Sequence, residues 1–223
     1  MSESENQEQN PFDTISDDPN DKPRLAPRNR ESLSPEHQTI HDNIVNSVRG
    51  VKEMSNGALP GPFNAWMYAP IKLTKVLDEL GVAIRTETKE VPSILKEIAV
   101  CVVASYHQCN VAFWAHTSSA ATAGLSEKII DELKNNKTPN FEDLPEASGG
   151  HQKAVYEFVK TYLETKRIDD SKYNNLHKIL GSDKAMVQIV LVISHYCGLA
   201  AQLNLFRVPA PGSSQAFSNR ALE

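Results

Sequence analysis

Between residues 92 and 105 the chain sets Ile94, Leu95, Ile98, Ala99, Val102 and Val103 at intervals of one, three and four. That spacing lines one side of a 3.6-residue helix and does not give the alternating faces of a half-buried strand. The same period returns in Ile40, Ile44, Val45 and Val48, in Leu73, Val76, Leu77 and Leu80, and in Val155, Phe158, Val159, Tyr162 and Leu163. Residues 183–206 form the longest apolar run. Valine-rich pieces such as 100–103 lie inside helical periodicity, so no strand is expected. The reading is all-α, a bundle of about eight helices.

Punctuation supports this. Ser34 and Pro35 open one helix as cap and first residue, and Ser126 caps another. Gly124 closes the helix that follows residue 109, and the helix through Leu73–Leu80 is expected to end at Gly81 or just after. Residues 57–66 (GALPGPFNAW) read as a Gly/Pro loop, and 135–150 as another. Residues 1–32 are rich in Ser, Glu, Asn, Asp and Pro and poor in large apolar residues, which predicts a disordered or loosely attached tail. One domain is expected over 33–210, with a flexible C-terminal tail at 211–223.

The chain has 223 residues and a net charge of −5, without a basic cluster. That argues against a nucleic-acid partner. Its three cysteines form no CxxC pair, which fits a reducing, cytoplasmic setting. Gln188, Ser194, His195, Gln202 and Asn204 interrupt the run 185–206, which is therefore expected to be a buried core helix and not a membrane span.

The chemistry-bearing residues concentrate in two helices. Glu97 lies inside the first apolar stripe; it is either a solvent-facing residue beside Lys96 or a buried, hydrogen-bonded carboxylate. Cys109 follows a helix break at Tyr106–Gln108. It is either a thiol activated by a helix N-terminus or an inert buried cysteine. His116 follows seven residues later, roughly 10.5 Å along a helix, too far for a direct bond to Cys109. Any partner of His116 comes from another helix or from a ligand; otherwise it is a core histidine. His37, His41, His151, His177 and His195 show no metal-ligand spacing and are expected at the surface. No glycine-rich phosphate loop occurs, and no metal or cofactor is implied.

The segments LPGPFNAWMYAP and LKEIAVCVVASYHQCNVAFWAHTSSAATAGLS resemble the carboxymuconolactone decarboxylase family, whose fold is shared with alkyl hydroperoxidase D (AhpD-like). The resemblance extends over roughly residues 33–210. It implies an AhpD-like helical bundle and a homo-oligomer, a trimer or a multiple of it. Glu97 matches the family's helical glutamate, Cys109 the first cysteine of its Cys-x-x-Cys-x-x-x-His motif, and His116 the histidine. The second cysteine falls on Ala112. Other members carry Tyr-Glu-Trp here, where this chain has Val111, Ala112 and Phe113. The resemblance thus implies Glu97, His116 and Cys109 as catalytic residues, with Phe113, Trp114, Trp66 and Tyr196 around a small-molecule pocket. The activity it implies is a cofactor-independent lyase on a small cyclic or aromatic carboxylate or lactone. A thiol peroxidase using Cys109 and a non-catalytic binding protein are the alternatives.

Overall fold

Helix α4 (Ser93–Tyr106) is apolar on nearly every side, and such a helix is stable only when other elements surround it. Leu95 and the whole run Ile98–Ser105 are buried. The computed structural model describes residues 22–211 and 217, with nine α-helices and no strand among them. Before α4 come α1 (Pro35–Val45), α2 (Pro62–Trp66) and α3 (Ile71–Thr86). After it come α5 (Asn110–Thr122), α6 (Glu127–Lys134), α7 (Glu146–Thr165), α8 (Asp170–Leu180) and α9 (Asp183–Leu205). Helices α5, α7 and α9 pack directly on α4. Ile98, Val103, Val155, Val159 and Ile189 have no exposed surface there. Each fully buried aliphatic side chain of this size contributes about 1.5–3 kcal/mol. The all-α expectation holds.

The expected caps form: Ser34 accepts from the His37 amide and Ser126 from the Ile129 amide. Gly124 has φ +98°, beyond the range comfortable for other residues, and follows α5 as expected. Other boundaries differ. Helix α3 does not stop at Gly81 but runs on to Thr86. Pro62–Trp66 is helical because Pro62 sits in the first turn, where its missing amide hydrogen costs nothing. Part of the expected loop 135–150 is helix, since α7 starts at Glu146.

Two tail assignments are also shortened. Residues 1–21, 212–216 and 218–223 lie outside the described residues. Residues 22–32 are tied to the body: Arg28 Nη1 donates to the Met67 carbonyl at 2.7 Å, and Tyr68 Oη donates to the Ala26 carbonyl at 2.8 Å. Arg30 grips Asp42 through two bonds of 2.6 and 2.7 Å. At the other end, Phe217 is buried. Its backbone exchanges two hydrogen bonds with the Asn110 side chain and its ring meets Phe113 edge-on.

Helix α9 is long and apolar enough to cross a membrane by length and composition. It packs one side into the bundle, but Val187, Val190 and Leu191 are exposed, so it is only half the core helix expected. Leu73, Val76 and Leu80 of α3 are exposed too.

The polar contacts of residues 22–32 replace several solvated groups by paired ones, at about 1 kcal/mol each. A chain shortened to begin at residue 33 should therefore melt roughly 5–10 °C below one beginning at residue 22 in thermal unfolding. Equal melting temperatures would mean that the segment is merely laid on the surface.

Candidate functional site

Helix α4 ends by turning the chain back on itself. The Gln108 amide donates to Ser105 O at 3.0 Å and the Cys109 amide to Ala104 O at 2.8 Å, while Gln108 adopts φ +50°. This is the paired-bond helix terminus that usually employs glycine, here built with a glutamine. Helix α5 leaves it antiparallel to α4. Glu97 lies nine residues before the end of α4 and His116 six after the start of α5. Those offsets correspond to about 13 and about 9 Å of rise, which brings the two residues to similar heights across the hairpin.

They meet. His116 Nδ1 lies 2.8 Å from Glu97 Oε2, with only 9% of the histidine side chain and 18% of the glutamate side chain exposed. The carboxylate accepts from Nδ1–H, which fixes the tautomer and leaves Nε2 for a ligand. Tyr196 of α9 holds the imidazole from the side, edge-to-face with centroids 4.7 Å apart. Burial, then the Glu97 charge, pushes the Tyr196 phenol well above its ordinary value, so it stays protonated.

The pair opens on two clefts. A cleft of about 480 Å³ is lined by both Glu97 and His116, with Lys96, Arg85, Ser118, Ser119, Thr122 and Tyr196. A larger one of about 650 Å³ includes His116, Tyr196, Trp66, Trp114 and Ala112, and extends to Arg49 and Lys52. His116, Tyr196, Arg85 and Ser118 belong to both. Trp66 is fixed by its indole Nε1, which donates to Gln202 Oε1 at 2.8 Å. Burial, with the nearby Arg85 charge, also lowers the Lys96 ammonium below its usual range, against the opposing pull of Glu97.

Thus Glu97, His116 and Tyr196 border the smaller cleft, and His116, Tyr196, Trp66 and Trp114 the larger one. Cys109 and Phe113 border neither. Phe113 is buried in the core against Phe217 and lines neither cleft. Cys109 does start α5, but its side chain is turned into the apolar core with no exposed surface. Burial pushes its thiol up to about 11, overriding the nearby Ala112 and Val111 amides, which pull the other way. Of the two readings of Cys109, the structure fits the buried, unactivated cysteine, since desolvation outweighs the field of the helix N-terminus. Cys101 is buried too, and its thiol is pushed up by burial and then by Glu97. No cysteine lines either cleft.

Two histidines expected at the surface are elsewhere. His41 is buried, its Nε2 3.3 Å from both the Gly57 carbonyl and Glu53. His195 is half-buried in the larger cleft, and burial, then His116, lowers its pKa. Sequence reading also passed over Arg49, Arg85, Ser118 and Ser119. Arg85 carried a signal, being the charge that follows the α3 stripe by one turn. Among the described residues no group of three or more His, Cys, Asp or Glu is arranged to hold a metal ion.

The architecture matches a solved structure. The AhpD core of an uncharacterized peroxidase-related protein from Ralstonia eutropha JMP134 superposes with a TM-score of 0.66, covering 86% of this chain and 94% of that one, at 12% identity. The chain therefore has the AhpD-like fold, and at this identity the likeness concerns the fold alone. No protein-family model matches the sequence, and no curated protein matches it either.

At pH 8 a thiol with a pKa of about 11 is only about one part in a thousand thiolate, and thiolate is the reactive form. Iodoacetamide applied to the native protein at that pH should label the half-buried Cys197 and spare Cys101 and Cys109, as read by mass spectrometry of peptides. Labelling of Cys109 at the rate of Cys197 would restore it as a reactive thiol.

Proposed function

We propose that the protein is a cofactor-independent lyase or related proton-transfer enzyme acting on a small cyclic or aromatic carboxylate or lactone, with His116 and Glu97 as its reacting pair. The observation that carries this is the 2.8 Å bond between Glu97 and His116 beside a cleft that no thiol lines. In this reading Glu97 accepts from Nδ1–H and steadies whichever charge state the imidazole takes, while Nε2 exchanges a proton with the substrate. In a decarboxylation the bond between the ring carbon and its carboxyl group breaks and carbon dioxide leaves. The electron pair passes to the adjacent carbonyl as an enolate; His116, as imidazolium, then gives its Nε2 proton to that carbon, the enolate pair forming the new C–H bond, and the neutral imidazole left behind regains a proton at Nε2 from solvent. The buried phenol of Tyr196 and the hydroxyls of Ser118 and Ser119 border the place where that negative charge develops.

A thiol peroxidase is the alternative suggested by the description of the Ralstonia protein as peroxidase-related. It is disfavoured here by the burial of Cys109 and by Ala112, which leaves no second thiol at the spacing a disulfide would need. We also propose that the chain self-associates and works in the cytoplasm. Support for association comes from the exposed apolar residues of α3 and α9, whose contact with water a second copy would relieve. Analytical ultracentrifugation at micromolar concentration should then show a species heavier than the 24.7 kDa chain, and Leu73→Asp with Val190→Asp should shift it to monomer. A wild-type monomer would remove this part of the proposal.

For the chemistry, candidate carboxylates and lactones are screened for carbon dioxide release or for solvent deuterium uptake. His116→Ala and Glu97→Gln should each lower kcat by about a hundred- to ten-thousandfold. The double variant should be little worse than either single one, because the pair acts as a unit. Cys109→Ser should keep most of the turnover, and dilute hydrogen peroxide should not inhibit. Variants that melt earlier but turn over normally would make Glu97–His116 a structural pair, and loss of turnover in Cys109→Ser would favour the peroxidase.

A further inference from the structure

The larger cleft is out of character with the rest of the molecule. The chain carries a net charge of −5, yet Arg49, Lys52 and Arg85 line this cleft and no aspartate or glutamate does. Arg49 is held as a built feature. Only 8% of its side chain is exposed, its Nε donates to Ser47 Oγ at 3.0 Å, and its Nη2 is paired with Asp78. The guanidinium stands 5.1 Å from the centre of the Phe63 ring. Its remaining nitrogen, Nη1, is buried and has no acceptor among the described residues. An unmet donor on a buried cation is costly; Nη1 lies against Gly81 in the wall of this cleft, and a small shift of the guanidinium toward an acceptor in the cleft would satisfy it.

Gly81 fits the same picture. It lies in the interior of α3, where glycine weakens a helix, but a Cβ at this position would come within 3.1 Å of Arg49 Nη1. The glycine makes the seat for the guanidinium. Arg85 is four residues further along α3, on the same face of the helix, and has no ion-pair partner among the described residues. Two guanidinium groups thus share one stretch of α3, and the second of them also borders the smaller cleft with His116. Next to them the cleft wall is aromatic, and it includes Trp66 and Trp114, the chain's two tryptophans.

We propose that the larger cleft is a receptor for an organic carboxylate, with its anionic end between Arg49 and Arg85 and its ring or hydrocarbon body against Trp66 and Trp114. The planar fork of Arg85 and the one unpaired nitrogen of Arg49 suit the two oxygens of one carboxylate. This deepens the functional reading above and rests on it for one point only, that the far end of the ligand reacts at His116. A carboxylate about to leave as carbon dioxide is not served by two guanidinium groups, which stabilise its charge in the ground state and raise the barrier. The clamped carboxylate is therefore a spectator, and the bond that changes lies elsewhere on the ligand.

Because both tryptophans line this cleft, intrinsic fluorescence reports on its occupation. Cyclohexanecarboxylate, which does not absorb where tryptophan does, should give a saturable change. Cyclohexanecarboxamide, equal in shape but uncharged, should bind at least about tenfold more weakly, as expected when a charge-assisted hydrogen bond is lost. Arg85→Gln, a change at an exposed residue, should abolish the preference for the acid over the amide. Gly81→Ala should bind the acid more weakly while melting no earlier, since alanine favours the helix and disturbs only the seat of Arg49. Glu97→Gln should keep the binding while losing turnover, which separates this inference from the chemistry: a Glu97→Gln variant that binds and still turns over normally retains the receptor and sinks the acid–base reading. The inference falls if the amide binds as tightly as the acid, if neither gives a saturable change at millimolar concentration, or if Arg85→Gln and Gly81→Ala both leave the affinity unchanged.

Discussion

The hydrogen bond between Glu97 and His116 depends on a turn that holds no glycine. Gln108 takes a left-handed conformation that costs an ordinary residue about 1–2 kcal/mol. Two backbone bonds and the burial of Cys109 directly after it offset that cost. Were the hairpin to open, α5 would lose its register against α4, and the carboxylate and imidazole would each lose the partner that meets its polar atoms. The polar pair and the apolar hairpin hold each other: packing sets the distance, and the bond satisfies the two polar groups that the packing encloses.

This arrangement also explains how one helix serves both core and cleft. From α5, Phe113 and Ala120 point into the interior, whereas Val111, Trp114, Ala115 and Ser118 border the larger cleft, with His116 at the boundary. A helix with two working faces has little amphipathic contrast. Such a helix reads poorly from periodicity even though every residue on it has a defined place.

Much of the bundle was legible because α4 and α7 carry dense 3.6-residue stripes and because Ser34 and Ser126 cap as their chemistry dictates. The Glu97–His116 pair was legible through family resemblance, not through spacing, since the contact joins two helices. Three errors share a cause. By local propensity Gly81 marks a helix end at that residue or just after, although a side chain from elsewhere, Arg49, dictates it. Cys109 was placed correctly at a helix start, but the strength of the helix field depends on burial, which sequence does not display. The segments around Arg28 and Phe217 are polar or short and carry no periodic signal, so their attachment through backbone bonds was invisible. Arg49 and Arg85 were missed because 36 residues separate them in the chain, and only the packing of α3 brings them together.

The bond from Trp66 to Gln202 spans 136 residues, and that from Asn110 to Phe217 spans 107. Contacts this remote in sequence close late in folding, after hairpins such as α4–α5 have formed locally. Trp66 and Tyr196 reach the cleft from opposite ends of the chain. During synthesis, then, the α4–α5 hairpin can form well before α9 leaves the ribosome, with one wall of its cleft still unmade. The Glu97–His116 pair is assembled early and enclosed last, so a half-built chain does not yet present a finished cleft.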